Sequence, residues 1–348
     1  MSDVTVAILH AEPGADGGPL SHATATARLD NAVRHRAGFR AAGASRVEVL
    51  AGPPDGRSFG ERLREVVTHI GDGGLIVLGS GAIPLATAAD RRDLVAAAAS
   101  DMPRALTNNR YSADVVAVSR ARSVLERLPD LATDNALPRW LEEVAGVPVD
   151  DRRRRRRLGI DIDGPLDLVL LGGRWTSALD TDDLERVVAS LGRVRRVTAD
   201  AGGELLVAGR VSASNLAWLE SHTQSRTRAL VEERGLRTRH AGQRPAASVL
   251  GALLDRDGPA SLGEHLARLA DAAIVDTRVL LAHRFGAEEG AWPIAEDRFA
   301  SDLLLEDRIG DPWLRDLTAS AADAPIPVVL GGHTLVGPGL PLALGRRR

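Results

Sequence analysis

The segment Leu158-Gly159-Ile160-Asp161-Ile162-Asp163-Gly164-Pro165-Leu166-Asp167-Leu168 sets two carboxylates at i and i+2 ahead of a Gly-Pro turn and an apolar run. On a strand, i and i+2 project to the same face. Asp161 and Asp163 would then stand side by side while Ile160 and Ile162 point into a core. Adjacent like charges raise each other's pKa unless a cation lies between them. A divalent metal, or a pair of arginines, would hold both ionised. The ordinary alternative is a strand-end cap followed by a solvated turn residue, because Asp before Gly-Pro is common turn chemistry.

Around this segment the chain reads as α/β. Strand patterns at 4–9, 46–50, 74–78 and 114–118 alternate with helix patterns at 23–42, 59–69, 88–100 and 138–145. Residues 166–171 read as a strand or a short helix. Such alternation argues for a mostly parallel three-layer sheet, Rossmann-like, with helices on both faces. A length of 348 residues suggests two domains, with expected bounds 1–172 and 173–348. The second is expected to be a helix-rich α/β domain. Its helix patterns fall near 180–191, 212–234, 246–254, 261–272, 300–305 and 312–322, with strands at 204–211 and 326–330.

Composition removes several function classes. A net charge of −3 gives no reason to expect a nucleic-acid partner. No apolar run approaches the ~18 residues that span a bilayer, so no membrane partner is expected. The N-terminus has no basic region and runs into a strand, which gives the expectation of no signal peptide and a cytoplasmic location. There is no cysteine, so thiolate catalysis and Cys-ligated metals are excluded. All 44 basic residues are arginine. Without lysine, Schiff-base chemistry and a Walker-type phosphate lysine are excluded. Phosphate would have to meet Arg, backbone N–H groups or a metal.

Asp161-Ile-Asp-Gly-Pro-Leu-Asp-Leu168 resembles the DIDTPEDL signature of the nucleotide-diphospho-sugar-transferase-like nucleotidyltransferase superfamily. That superfamily includes the 2-phospholactate and molybdenum-cofactor guanylyltransferases. Leu78-Gly-Ser-Gly-Ala-Ile-Pro-Leu85 is similar to its GADSPLL turn, where an aspartate binds metal; here Ser80 or Gly81 takes that position, and a serine cannot hold Mg²⁺ by charge. The resemblance spans about residues 1–172. It implies a glycine-rich phosphate loop at Gly14, Gly17 and Gly18, with His22 or Arg28 as the first available cation. It also implies nucleotide contacts from Gly79, Ser80 and Gly81, and Mg²⁺ on Asp161 and Asp163. The expected partners are a nucleotide and a small phosphorylated metabolite.

Three further features carry alternatives. In Thr107–Asp114, Asn108, Asn109 and Ser112 could read a base edge and a ribose, or form an Asn-rich turn. Asp134 reads as a helix cap. The run Arg152–Arg157 is either a solvated loop or an anion clamp. In the second half, Asp276, Arg278, His283, Arg298 and His333 form a second candidate cluster. Gly331-Gly332-His333 is a corner where backbone N–H groups converge, and the histidines are candidate bases. The alternative is an internal Asp/Arg network stapling helices. An exposed sheet edge near 326–330 would favour a homodimer.

Three functions follow as expectations. One is transfer of a nucleoside monophosphate to a phosphorylated acceptor, with Asp161 and Asp163 as catalytic metal ligands. Another is nucleotide or sugar-phosphate binding without the chemistry. The third places an activity in the C-terminal cluster.

Overall fold

The computed structural model describes residues 3–15, 17–53, 55–70, 72–236 and 244–345. The chain divides into two compact units, one of Met1–Ala15 and Ala25–Ile162, the other of Asp16–Thr24 and Asp163–Arg348. The break after Ile162 falls ten residues ahead of the expected boundary, for a reason visible in the segment quoted above. Gly164, Pro165 and Asp167 read as helix cap, first-turn proline and third-position acid. Accordingly 165–171 is helical, and the N–H groups of Asp163 and Gly164 donate to the Asp167 carboxylate at 2.8 and 2.9 Å. The apolar run after the Gly-Pro turn thus opens the second unit.

Unit 1 comprises β1 (Val4–Ala11), α1 (Pro19–Ala41), β2 (Arg46–Gly52), α2 (Phe59–Thr68), β3 (Gly74–Gly79), α3 (Ala88–Ala98), β4 (Ala105–Thr107), β5 (Val115–Val118), α4 (Ala121–Leu125), α5 (Leu137–Glu143) and β6 (Val149–Asp151). The first turn of α1 is grouped with unit 2. The strands form one sheet in the order β2-β1-β3-β5-β4-β6, with β5 antiparallel to both neighbours. Period-two alternation sorts side chains to two faces. Val4, Val6, Ile8, Ile76 and Leu78 pack with Ala32 and Phe39 of α1 and Leu94 and Val95 of α3. Ala7, Leu75, Val77 and Val116 pack with α2, α4 and α5 on the other face. Ser58 and Glu61 close a capping box on α2, and Thr87 and Asp90 do the same on α3, fixing both helix starts.

Unit 2 comprises α6 (Pro165–Leu171), α7 (Glu185–Thr198), β7 (Glu204–Gly209), α8 (Ala213–His222), β8 (Arg226–Val231), α9 (Val249–Asp257), α10 (Leu262–Ala267), β9 (Ala272–Asp276), α11 (Thr277–Phe285), α12 (Ala295–Asp302), α13 (Pro312–Ala322), β10 (Val328–Gly331), α14 (His333–Val336) and α15 (Leu340–Ala343). Its four strands are parallel in the order β10-β9-β7-β8. β10 lies at the edge, as its flanking prolines suggested. Two strands differ from expectation. Residues 226–231 were read into a long helix but leave it at Thr223 and pair with β7. Residues 272–276 form β9, a fully buried strand inside an apolar run. Arg346–Arg348, expected to be a loose tail, lie outside the described residues.

Among the described residues no helix is long and apolar enough to cross a membrane.

Candidate functional site

In a parallel sheet, ligands sit beyond the carboxyl ends of the strands where the strand order reverses. In unit 1 that place is the end of β1 beside the end of β3, because the chain leaves β1 toward β2 on one side and returns to β3 on the other. Two polar side chains meet there. His10 Nδ1 and Ser80 Oγ are 3.0 Å apart, and both residues are buried. The Ser80 N–H donates to Leu9 O at 2.8 Å, locking the two strand ends together. Burial, then the nearby Arg28 guanidinium, lowers the His10 pKa, so the imidazole is neutral at neutral pH.

The turn after β3 is held from α1. Asn31 Nδ2 donates to the carbonyls of Ser80 and Ala82 at 2.9 and 3.0 Å. His35 Nε2 donates to the same Ala82 carbonyl at 2.8 Å. Its Nδ1 accepts from Arg91 at 3.4 Å. Burial, then the Arg91 and Arg34 charges, push the His35 imidazole down to about 3 against the opposing effect of its bond to Ala82. Arg28 Nε donates to Ile162 O at 2.6 Å. The Ile162 N–H donates to Gly81 O at 3.1 Å, and Asp161 bridges Ala82. A Cβ on Gly81 would lie 2.7 Å from Asp161 Oδ1 and 2.8 Å from Ile162 O, so only glycine admits this approach. On the opposite face of the sheet a small cavity of about 160 Å³ is lined by Leu9, Phe59, Gly79, Ala113, Asp114 and Asp134.

Arg28, Ser80, Gly81 and Asp161 are thus brought together in unit 1, beside Gly79. The remaining expected residues go elsewhere. Asp161 Oδ1 accepts the Ile162 N–H at 2.8 Å, and Asp163, grouped with unit 2, acts electrostatically on His333. Among the described residues no three His, Asp or Glu side chains gather around one point. Gly14 lies in an exposed loop, and Gly17 and Gly18 group with unit 2. A Cβ on Gly18 would lie 2.4 Å from the Glu296 carboxyl carbon. That carboxylate accepts the N–H groups of Leu20 and Ser21, both at 2.9 Å, and the Ser21 hydroxyl at 2.8 Å. It takes the place at the start of α1 that a phosphate was expected to fill.

Asn108 and Asn109 are turn residues. Buried Asn108 donates to the Asp114 carboxylate at 2.6 Å and to Leu158 O at 2.9 Å, and accepts from the Asp114 N–H at 2.9 Å. Asn109 accepts the Tyr111 N–H at 3.0 Å. Half-buried Ser112 lies in the same turn. The arginine run is partly internal. Arg155 and Arg157 both donate to the Asp90 carboxylate, at 2.7 to 2.8 Å, and the Asp90 side chain is 0% exposed. Burial pushes that carboxyl up, but the Arg157 and Thr87 bonds outweigh it and hold it well below the usual range.

Unit 2 presents a different arrangement at its own reversal, between β7 and β9. Arg210, just past β7, donates from Nε and Nη2 to both oxygens of Asp276 at 2.6 and 3.0 Å. The Asp276 side chain is 0% exposed. Burial opposes its charge, but Arg210 more than compensates, and the Asp276 pKa lies below its ordinary value. Arg278 forms a second two-pronged pair with Asp302, with one bond of 2.7 Å. His333 follows β10 with its edge open to solvent. The depth of protein around it, then Arg210, push its imidazole down to about 4. Arg298 stacks over Trp292 and feels Arg278 and Asp302. His283 departs from this cluster: it accepts the Ser248 N–H at 3.1 Å and pairs with Asp255 at 3.0 Å, tying α9 to α11.

His10, Asn31, His35 and Arg210 were not singled out in the sequence. A signal existed for two of them: Asn31 and His35 sit four apart in a helix, on one face. Comparison with family models, with curated proteins and with solved structures found no match.

Proposed function

We propose that unit 1 binds a nucleotide at the carboxyl ends of β1 and β3, alongside a small phosphorylated metabolite. The observation that carries this reading is the His10–Ser80 contact at the point where the strand order reverses, with Arg28 close enough to lower the His10 pKa. A neutral imidazole, a hydroxyl and one guanidinium offer hydrogen bonds and a single positive charge to a phosphate, without a lysine. The resemblance of residues 161–168 and 78–85 to the nucleotidyltransferase-like superfamily supports the same ligand class. No step is assigned to a metal.

A second reading is transfer of the nucleoside monophosphate to the metabolite with release of pyrophosphate. The specific observation favouring it is Asp161, whose carboxylate lies against Gly81 at the same strand end. A thermal-shift panel of ATP, GTP, CTP and UTP, each with and without Mg²⁺, tests the binding reading, since bound ligand raises stability by RT ln(1 + [L]/Kd). A rise that persists without Mg²⁺ and is lost in Arg28→Ala is the expected result. No rise with any triphosphate overturns the reading. Pyrophosphate release that disappears in Asp161→Asn would establish transfer.

A further inference from the structure

We propose that Asn31 and His35 of α1 are positioning residues, holding the turn from Gly79 to Ile83 in the one conformation that presents the Ser80 hydroxyl to ligand. This inference rests on the nucleotide-binding reading of the same strand ends and identifies what sets their geometry.

Three observations converge on it. Asn31 and His35 are both 0% exposed, yet they donate three bonds to two carbonyls of this turn, Ser80 O and Ala82 O. The turn is strained: buried Ile83 has φ of +44°, a left-handed conformation that a β-branched side chain disfavours. Such strain persists only where the surroundings over-determine it, and it gathers at functional sites. Finally, the Asn31 Oδ1 atom is buried without a hydrogen-bond partner, which costs free energy that an apolar residue would avoid. A helix tuned only for packing would not keep a half-satisfied amide here. Its two donated bonds explain why it is kept.

The chemistry is directional. Anchoring the carbonyls on either side of Gly81 fixes the peptide planes of 80–81 and 82–83. With its backbone held, Ser80 keeps its hydroxyl against His10 Nδ1. Without the anchors the turn can relax toward an unstrained φ at Ile83, and the hydroxyl leaves that position.

The test uses the full-length protein. Dissociation constants for ATP, GTP, CTP and UTP are measured by calorimetry, well below the melting point, for wild type, Asn31→Ala, His35→Leu and His35→Gln. Val66→Ala, in the core of α2 on the other face of the sheet, serves as a variant destabilised away from the turn. The expected result is a loss of affinity of about tenfold or more in Asn31→Ala and His35→Leu, partial recovery in His35→Gln, which keeps a donor, and no change in Val66→Ala. If Asn31→Ala does not fold, His35→Leu against His35→Gln carries the comparison alone. Equal affinities in all variants overturn the positioning role and leave the binding reading standing. A wild type that binds none of the four overturns the binding reading and this inference with it.

Discussion

The two units treat the same architectural position in opposite ways. Where strand order reverses in unit 1, the contacts between strand ends and turn are made by neutral groups, an imidazole, a hydroxyl and a buried amide, with Arg28 and Asp161 beside them. Where it reverses in unit 2, ion pairs meet: Arg210 with Asp276, and Arg278 with Asp302. Neutral hydrogen bonds can be exchanged for bonds to a ligand at modest cost. A buried ion pair cannot be opened without stranding a charge. The lesson is that an accumulation of charged residues at a sheet's ligand-facing end does not itself mark the more accommodating site. In unit 2 the charges serve largely one another, the stapling network that the sequence left as an alternative.

The largest effect should come from breaking that contrast in unit 2. Asp276→Ala leaves Arg210 buried and unpaired, and is expected to destabilise by about 3–5 kcal/mol. Replacing both partners with Leu and Met of similar bulk should restore much of the loss. Denaturant unfolding of the single and double variants measures this, and equal losses in both would show that the pair is not coupled.

A second effect is acid sensitivity in unit 1. The His35 pKa falls from its ordinary 6.5 to about 3 in the folded chain. Between those values the unfolded chain binds the extra proton, so the stability from neutral His35 is complete above pH 6.5 and drains away as pH falls toward 3. The slope of melting temperature against pH over this window should flatten in His35→Gln. An unchanged slope would remove His35 from the account and leave His333, which titrates near 4, as the source.

The smallest effect concerns the start of α1. Glu296→Ala removes an acceptor shared by two backbone N–H groups and a hydroxyl, and a loss of about 1 kcal/mol is expected, as for other helix caps. Thermal unfolding in low and moderate salt would sharpen the point. If the variant instead gained affinity for inorganic phosphate in calorimetry, the start of α1 would join the ligand-binding surface and the contrast between units would narrow.

How much of this was legible depended on how local the determinants were. β1, β2, β3 and β5, and the helices α2 and α3, are written within short windows, and they came out in place. β8 was hidden because Arg226–Val231 mixes helix formers (Arg, Ala, Leu) with β-branched Thr227 and Val231 and shows no clean alternation. Only pairing with β7 decides the matter, and that is a tertiary fact. β9 was hidden by the opposite problem: a fully buried strand has no alternation, and Ala272–Asp276 merges with the apolar start of α11. β4 and β6 are three residues each, too short to carry a pattern. At the sites, Arg28, Ser80, Gly81 and Asp161 were singled out through motifs. Ser80 and Arg28 meet partners 49 and 134 positions away, Asn31 and Ile162, a separation that no spacing rule reaches. Of the two readings left open for 166–171, strand or short helix, the helix is the one formed, and Gly164-Pro165 starts it.

The stretch Asp16–Thr24 belongs to unit 2 although the chain on both sides of it belongs to unit 1. Leu20 is buried in the unit 2 core, and Glu296 caps the two residues that begin the helix there. Neither unit can therefore be cut out as one continuous piece. A fragment ending at Ile162 would carry a helix whose first turn has lost its carboxylate acceptor and its apolar seat, and a fragment starting at Asp163 would have a vacancy the size of a nonapeptide. Unit 2 expressed alone should recover stability when a synthetic peptide of residues 16–24 is added in trans. The chain is, in this sense, stitched.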